Sequence, residues 1–386
     1  MNWWLVIKRE LRQIFIRDPR RVVFLFGSSL AYLVFFGMLY GTHVITAVPL
    51  VVCDEDQTSL SRGLVQAFED SEKYRIVAHV ATIEEMEALL QSKEAYAALN
   101  IPARFSRDVK TGLSSQVLVI ANGSNIAVAN TIVSSGQEIL AAYSQKVAAS
   151  TIEQAGQMPG PAAKKVAPVD LRLRVLNNPT LSYLNYFLLG LAMAALQAGI
   201  LLSTGASIMD EYGQELKPQE VATYKYWAAK LLPYWGCGIV GYGLTLTVSQ
   251  TIFAVPNKGN LFELLLLGTA FTFVITAMGS LIAASCRNEV SYTQVVLSYA
   301  VPAFVLSGYI WPVQAMDVFS SLLSYAVPLT YTADNLRGLM VAGYAPRLYS
   351  DVAILFGLGT VFFWLATKVY DRKMAFFEHH PVNQDV

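Results

Sequence analysis

Charge is scarce in this chain of 386 residues: Asp, Glu, Lys and Arg make up 15% of it, against an apolar share of 54%. A soluble domain usually carries about a quarter charged residues, so the composition excludes an ordinary soluble protein. The 28 basic residues are matched by 28 acidic ones, and a net charge of zero offers nothing to nucleic acid. Cysteine is also rare. Cys53, Cys237 and Cys286 fall in three different segments, which excludes a disulfide framework and leads us to expect no intrachain bridge. Gly-x-x-x-x-Gly-Lys-[Ser/Thr] occurs nowhere, so the chain lacks the usual cradle for ATP phosphates. No cofactor is expected on this chain. The first twenty residues are too charged for a secretory signal peptide. An integral membrane protein remains.

Long uncharged runs are what the chain does contain. About 20 residues at 1.5 Å each cross a hydrocarbon core of about 30 Å. Such runs lie at 22–40, 181–203, 231–255, 264–284 and 291–309, none interrupted by an ionisable residue, and a sixth lies at 350–369. Unbroken runs argue against a proton relay or an ion-coupled carrier. A pump built on this chain takes its energy from a partner. Gln197, Asn185, Gln250, Thr272, Thr276, Gln294 and Ser298 are uncharged polar residues inside the runs; they either join helices or line a path.

Between the first two runs the character changes. Residues 41–178 alternate strand-like and helical patterns: strands at Pro49–Cys53, Arg75–Val80, Ala95–Ile101 and Gln116–Ala121, and helices from Ser59, after a Thr82/Glu85 capping box, over Pro102–Val109 and over 125–155. Alternation of this kind predicts an α/β layer domain large enough for its own core, with a Gly/Pro-rich tether at 156–168. The acidic trio Asp54, Glu55 and Asp56 reads as a strand-to-helix turn or, against that, a cation site. Glu378-His379-His380 lacks two-sided ligand spacing.

Residues 1–21 read as a basic amphipathic helix. Trp4, Leu5, Ile7, Leu11, Ile14 and Phe15 oppose Lys8, Arg9, Arg12 and Arg17, which suits either the inner membrane surface or a solvated lead into the first span. Lys and Arg concentrate in this segment, in the 204–230 loop and in the 370–386 tail. By the positive-inside rule both termini and that loop are cytoplasmic, and residues 41–178 are outside.

The stretch Leu306–Gly343, whose re-entrant part is expected at 310–346, is apolar but broken. Pro312 and Pro328 each remove a donor, while Gly308, Gly338 and Gly343 add break points and Asp317, Asp334 and Arg337 add charge. Broken helix at membrane depth is tolerated only in protein or beside water, so the stretch reads as re-entrant helices or as interfacial amphipathic ones. Asp334 and Arg337, three apart, predict an ion pair. The fold expected is an α-helical polytopic membrane protein with six transmembrane helices, an inserted α/β extracytoplasmic domain and re-entrant helices before the last span.

Several motifs carry a resemblance. Leu306-Ser307-Gly308, Trp311-Pro312, Met316, Pro328-Leu329-Thr330-Tyr331 and Arg337-Gly338 stand in the order and spacing of permease subunits of type-2 ATP-binding-cassette (ABC) exporters. The segment 210–215 and Ala229-Lys230-Leu231-Leu232-Pro233 resemble that family's motifs around the second and third spans. They depart from it in a missing Arg and Thr and in Ala229 where Gly is usual. Cys53-Asp54-Glu55-Asp56, Ile101-Pro102 with Phe105, and Asn177-Asn178-Pro179 resemble pieces of the subgroup with a large domain between the first two spans.

The resemblance implies a permease dimer, homo- or heteromeric, that forms the substrate path and is driven by separate cytosolic ATPase subunits binding ATP. A periplasmic adaptor is a further candidate partner, and the bilayer is the solvent. Glu211, Gly213, Glu215, Lys230, Arg9 and Arg12 then become candidate ATPase-coupling residues, the loop acting either as a rigid lever or as an ordinary solvated connection. Gly308, Pro312, Met316, Pro328, Asp334 and Arg337 become a candidate exit gate. The rival reading is an anchored surface scaffold whose outer domain binds a secretion or phage partner. No nucleophile, base or metal constellation supports an enzyme.

Overall fold

The computed structural model describes residues 3–41, 45–111, 113, 115–154, 178, 182–212 and 223–379. The chain divides into two compact units, one of Met1–His43 with Val175–Val386 and one of Val44–Arg174.

The first unit is helical. Helix α1 (Trp3–Arg12) passes through a π-helical turn (Gln13–Arg17) to Asp18, after which α2 (Pro19–Leu39) begins with Pro19 at its first position. Proline is suited there because its missing N–H would be unsatisfied in any case. Then follow α7 (Tyr183–Tyr212), α8 (Thr223–Thr251), α9 (Leu261–Ser285), α10 (Glu289–Leu306) and, at the end, α13 (Leu348–His379). Asn260 and Asn288 cap α9 and α10, each accepting a backbone N–H.

Five of the described helices are long and apolar enough to cross a membrane: Pro19–Leu39, Tyr183–Asp210, Thr223–Thr251, Leu261–Ser285 and Leu348–Lys373. The run expected at 291–309 forms α10, whose 18 residues begin with the polar stretch Glu289 to Gln294 and end at Leu306, so its apolar length is short. The helices also outrun the apolar stretches that announced them. In particular α8 starts at Thr223, inside what the sequence suggested was a cytoplasmic loop reaching residue 230. Charge alone bounds the loop at residue 230, yet Lys225 and Lys230 are helical.

Helix α7 is the central element, packed by α2, α9, α10 and α8. Its small residues let neighbours approach closely, as in membrane helix packing generally. A Cβ at Gly199 would overlap the Phe24 carbonyl of α2, and one at Gly190 or Gly205 would overlap the rings of Tyr309 or Tyr292. Tyr292 donates a hydrogen bond from its ring hydroxyl to the Leu201 carbonyl.

The broken stretch is a series of short pieces. Helix α10 ends at Leu306 with Ser307 as its C-cap, and Gly308 takes a left-handed φ of 80°, open to glycine without a Cβ penalty. A 3₁₀ turn (Val313–Ala315) follows Pro312, and Met316 closes it. Helix α11 (Val318–Ser324) is capped by Asp317, and α12 (Pro328–Arg337) opens on Pro328. A π turn (Gly338–Ala342) ends at Gly343, again left-handed with φ 87°. Each break falls on a residue with a backbone reason to be there. Val318, Phe319 and Leu322 of α11 are exposed.

The second unit is built on a four-stranded sheet in the order β2-β1-β3-β4. Strand β1 (Val48–Asp54) pairs in parallel with β2 (Tyr74–Val80) and β3 (Ala97–Ile101), and β4 (Leu118–Ala121) runs antiparallel to β3. The central strand is apolar on both faces, as a covered parallel strand should be. Leu50 and Val52 join a core with Leu64, Phe68 and Ile132, while Val51 and Cys53 join another with Met86, Ala95 and Ala98. Helices α3 (Ser59–Glu69), α4 (Ile83–Gln91), α5 (Phe105–Lys110) and α6 (Ile126–Gln154) complete the unit.

The acidic trio serves the turn after β1. Asp54 accepts from Asp56 N, Gln57 N and the Ser61 hydroxyl, and Asp56 accepts from the Thr58 hydroxyl and Ser106 N. At Thr82 the expected capping box is half made: Thr82 accepts from Glu85 N, but Glu85 reaches back to Ala81 N.

The close approach at Gly199 leads to a simple contrast. Gly199→Ala should destabilise the purified protein by about 1–3 kcal/mol through overpacking and so lower its melting temperature. Gly236→Ala, where a Cβ meets nothing within 4 Å, should not. Equal melting curves for the two variants would remove α7–α2 contact as a determinant of the fold.

Candidate functional site

A buried network of charges joins α1 to the ends of α2, α7 and α8. It starts from an acid on an apolar face. Val6, Ile7, Glu10 and Ile14 are the buried residues of the N-terminal segment, spaced at three or four as one helical face requires. Val6 and Ile7 pack on Tyr226 and Ala229 of α8. Glu10, in line with them, is only 3% exposed.

Its Oε1 accepts from Lys230 Nζ at 3.2 Å and from Arg9 Nη2 at 3.0 Å, and its Oε2 from Ser207 Oγ at 3.0 Å and Tyr234 Oη at 3.3 Å. Lys230 is 1% exposed. Tyr234 in turn accepts from Arg21 Nη1 at 2.7 Å. Arg21, also 1% exposed, reaches Asp18 at 3.2 Å and pairs with Asp210 near the end of α7. Ser203 donates to the Arg21 carbonyl.

The charges hold one another in place. Burial pushes the Glu10 carboxyl up, but the Lys230 and Arg9 charges and the hydrogen bonds from Arg9 and Ser207 outweigh it and keep the group below the ordinary glutamate value. Asp18 is likewise held low, first by its hydrogen bond from Arg20. Nearby, Trp227 packs edge-on to Tyr370 at 5.1 Å, and Thr223 donates to Asp371 at 2.6 Å. Lys373 donates to the Cys286 carbonyl just past α9, a favoured place for a cation. Residues from α1, α2, α7, α8, α9 and α13 thus meet through polar contacts at one end of the unit.

The expected coupling residues separate on this geometry. Lys230, expected on a cytosol-facing loop, is a buried helical residue paired with Glu10, so it is not a surface contact. Arg9 is half-buried and bonded to Glu10 and to the Tyr226 hydroxyl at 3.0 Å, whereas Arg12 is exposed. Glu211 lies in the last turn of α7; Gly213 and Glu215 fall outside the described residues. Glu10, Arg21 and Tyr234 were missed. The signal for Glu10 was present, since an acid three residues after Ile7 sits on the apolar stripe, where a charge needs a partner.

A second polar group surrounds Arg337. Its guanidinium lies 4.7 Å from the Tyr186 ring centre and 4.9 Å from that of Tyr309, a cation–π clamp. Nη2 donates to Asp334 at 2.9 Å, the ion pair expected from their spacing. Asn335 donates to Asp351 at 2.7 Å, and Tyr186 donates to the Tyr309 carbonyl at 3.0 Å. A cavity of about 450 Å³ opens beside Arg337. Of the expected gate residues, the structure brings Asp334 and Arg337 together here, next to the Gly308–Tyr309 turn. Pro312 is exposed and Met316 half-buried on the following turn, and Pro328 is buried at the start of α12.

Two outcomes follow from the buried pair. Lys230→Met, which removes one of the two cations bonded to the buried Glu10, should cost about 3 kcal/mol in unfolding experiments, and adding Glu10→Gln to that variant should recover part of the loss. Because it is the carboxylate that the network holds, its stabilisation is full above the ordinary glutamate range and lost as pH falls through the depressed native value. The melting temperature should therefore drop more steeply on acidification in the parent than in Glu10→Gln. Parallel acid limbs would show that Glu10 is not held ionised.

The ABC-2 family transporter protein model matches residues 20–368. The chain is 23% identical over 337 residues to the probable multidrug ABC transporter permease YbhR of Escherichia coli K12, covering 86% of this chain and 87% of the relative. It is 24% identical over 384 residues to the inner membrane transport permease YhhJ of the same organism, covering 93% and 96%. Over 160 residues it is 31% identical to the probable multidrug ABC transporter permease YbhS of that strain, covering 40% and 42%. With apolar spanning helices and a match over nearly its whole length, the chain belongs to the ABC-2 family of transporter proteins and is a membrane permease of the ABC type.

Proposed function

We propose that this chain is the membrane-spanning subunit of an ATP-driven exporter that works as a permease dimer with separate cytosolic ATPase subunits. The observation that carries the reading is the buried link from Glu10 to Lys230, Tyr234 and Arg21, which ends on the exposed Asp210. It ties a basic surface helix to the three spans α2, α7 and α8, so a push on α1 moves those helices as a body rather than bending a loop. Arg12 and Lys8, both exposed on α1, are the contacts offered to the ATPase, together with the 213–222 connection. Both termini lie in the cytosol and residues 41–178 lie outside, as the distribution of Lys and Arg implies. Helix α10 makes the sixth crossing, and the short helices α11 and α12 are re-entrant at the outer side. The relatives named as multidrug permeases suggest a small amphipathic cargo, and the outer unit offers a surface to a periplasmic adaptor.

Reconstitution with the cognate ATPase in proteoliposomes tests the reading. Glu10→Gln and the charge reversal Arg12→Glu should each lower cargo-stimulated ATP hydrolysis severalfold. For Arg12→Glu the melting temperature should stay at the parent value, since its side chain is exposed. Full stimulation in both variants would rule out α1 as the coupling element, and failure to associate with any ABC ATPase would rule out the transport role.

A further inference from the structure

The cavity beside Arg337 contains unmet hydrogen-bonding capacity of two opposite kinds. Arg337 spends Nη2 on Asp334, and its plane is fixed between Tyr186 and Tyr309. Nη1 is buried and has no hydrogen-bond partner among the described residues. Asn185, one helical position before Tyr186, also lines the cavity, and its side-chain oxygen is likewise buried without a partner. A buried donor and a buried acceptor left open each cost free energy, and both sit on the wall of a space large enough for a small ligand. Arg347 and Gln314 add a second guanidinium and an amide to that wall; among the described lining residues Asp334 is the carboxylate, and Asp351, bonded to Asn335 behind the wall, faces Arg347.

We propose that this cavity binds an oxyanion carrying an adjacent hydroxyl donor, the chemistry of a glycerophosphate group. The oxyanion accepts from Arg337 Nη1, with Arg347 supplying long-range attraction, and the hydroxyl donates to the Asn185 side-chain oxygen. The aromatic clamp holds the guanidinium in one orientation before the ligand arrives, so little side-chain entropy is lost on binding. The group is presented either by an anionic glycerophospholipid headgroup or by a soluble phosphate ester. The site stands apart from the α1 network and does not depend on how the protein is energised.

The test uses the full chain in phosphatidylcholine nanodiscs, whose headgroup has no hydroxyl or other hydrogen-bond donor. Phosphatidylglycerol is added to the bilayer in one arm and glycerol 1-phosphate to the buffer in another, and the unfolding midpoint is followed against concentration. A raised, saturable midpoint with phosphatidylglycerol alone assigns the lipid; one with glycerol 1-phosphate as well assigns the free ester. Sulfate, an oxyanion without a donor, should bind about tenfold or more weakly than glycerol 1-phosphate if the ester binds. Asn185→Ala should raise the half-saturating concentration about three- to tenfold, the worth of a hydrogen bond between neutral groups, and Arg337→Lys about tenfold or more, the worth of one to a charged group. No shift with either probe overturns the proposal, and so does unchanged affinity in Asn185→Ala, a variant that leaves the Arg337–Asp334 pair in place.

Discussion

Glu10 and Lys230 are both withdrawn from water, 220 residues apart in sequence and 3.2 Å apart in space. Neither charge is tolerable there alone, because an isolated ion in a low-dielectric interior pays more in lost hydration than packing returns. Each therefore requires the other, and the remaining lone pairs of Glu10 require Arg9, Ser207 and Tyr234. This mutual requirement positions α1 against α8 and, through Tyr234 and Arg21, fixes the ends of α2 and α7. A buried pair of this kind contributes less to net stability than to register: sliding α1 by one turn would part Glu10 from Lys230, Ser207 and Tyr234.

Close backbone approach provides the complementary constraint along the spans. Apolar side chains gain little from one another when lipid is the alternative, so helices in a bilayer associate through small residues and shared hydrogen bonds. Gly190, Gly199 and Gly205 place such contacts along one helix, α7, opposite Tyr309, Phe24 and Tyr292. The charge network thus ties one end of the unit, and glycine contacts set the spacing along its length. Arg337, held between Tyr186 and Tyr309, joins α7 to the broken stretch by a third kind of interaction, one that uses a charge without burying it fully.

Much of this organisation is legible in the residues. Uncharged runs mark the spans because a bilayer admits few alternatives. The double-faced apolar strand Leu50–Cys53 marks a covered sheet, and Pro312, Pro328 and Gly308 mark breaks because each restricts or frees the backbone locally. Asp334 and Arg337 pair as their spacing implies. Less legible is where a helix ends when polar residues continue it. Charge in the sequence suggested solvent and hence a loop up to residue 230, whereas Lys230 lies inside α8 because its charge is answered by Glu10.

By itself the sequence determined those features that depend on neighbours along the chain: the apolar lengths, the strand and helix periodicities, the capped and proline-led helix starts, and the motifs of the family. Only the tertiary structure decided which charges are buried. That decision depends on partners contributed by distant elements, and an acid on an apolar stripe announces a need for a partner without naming it. The same holds for the cavity beside Arg337, whose walls come from α7, the turn at Gln314, α12 and the segment leading into α13. No local pattern encodes such an enclosure, because its shape is set by the packing of helices far apart in sequence.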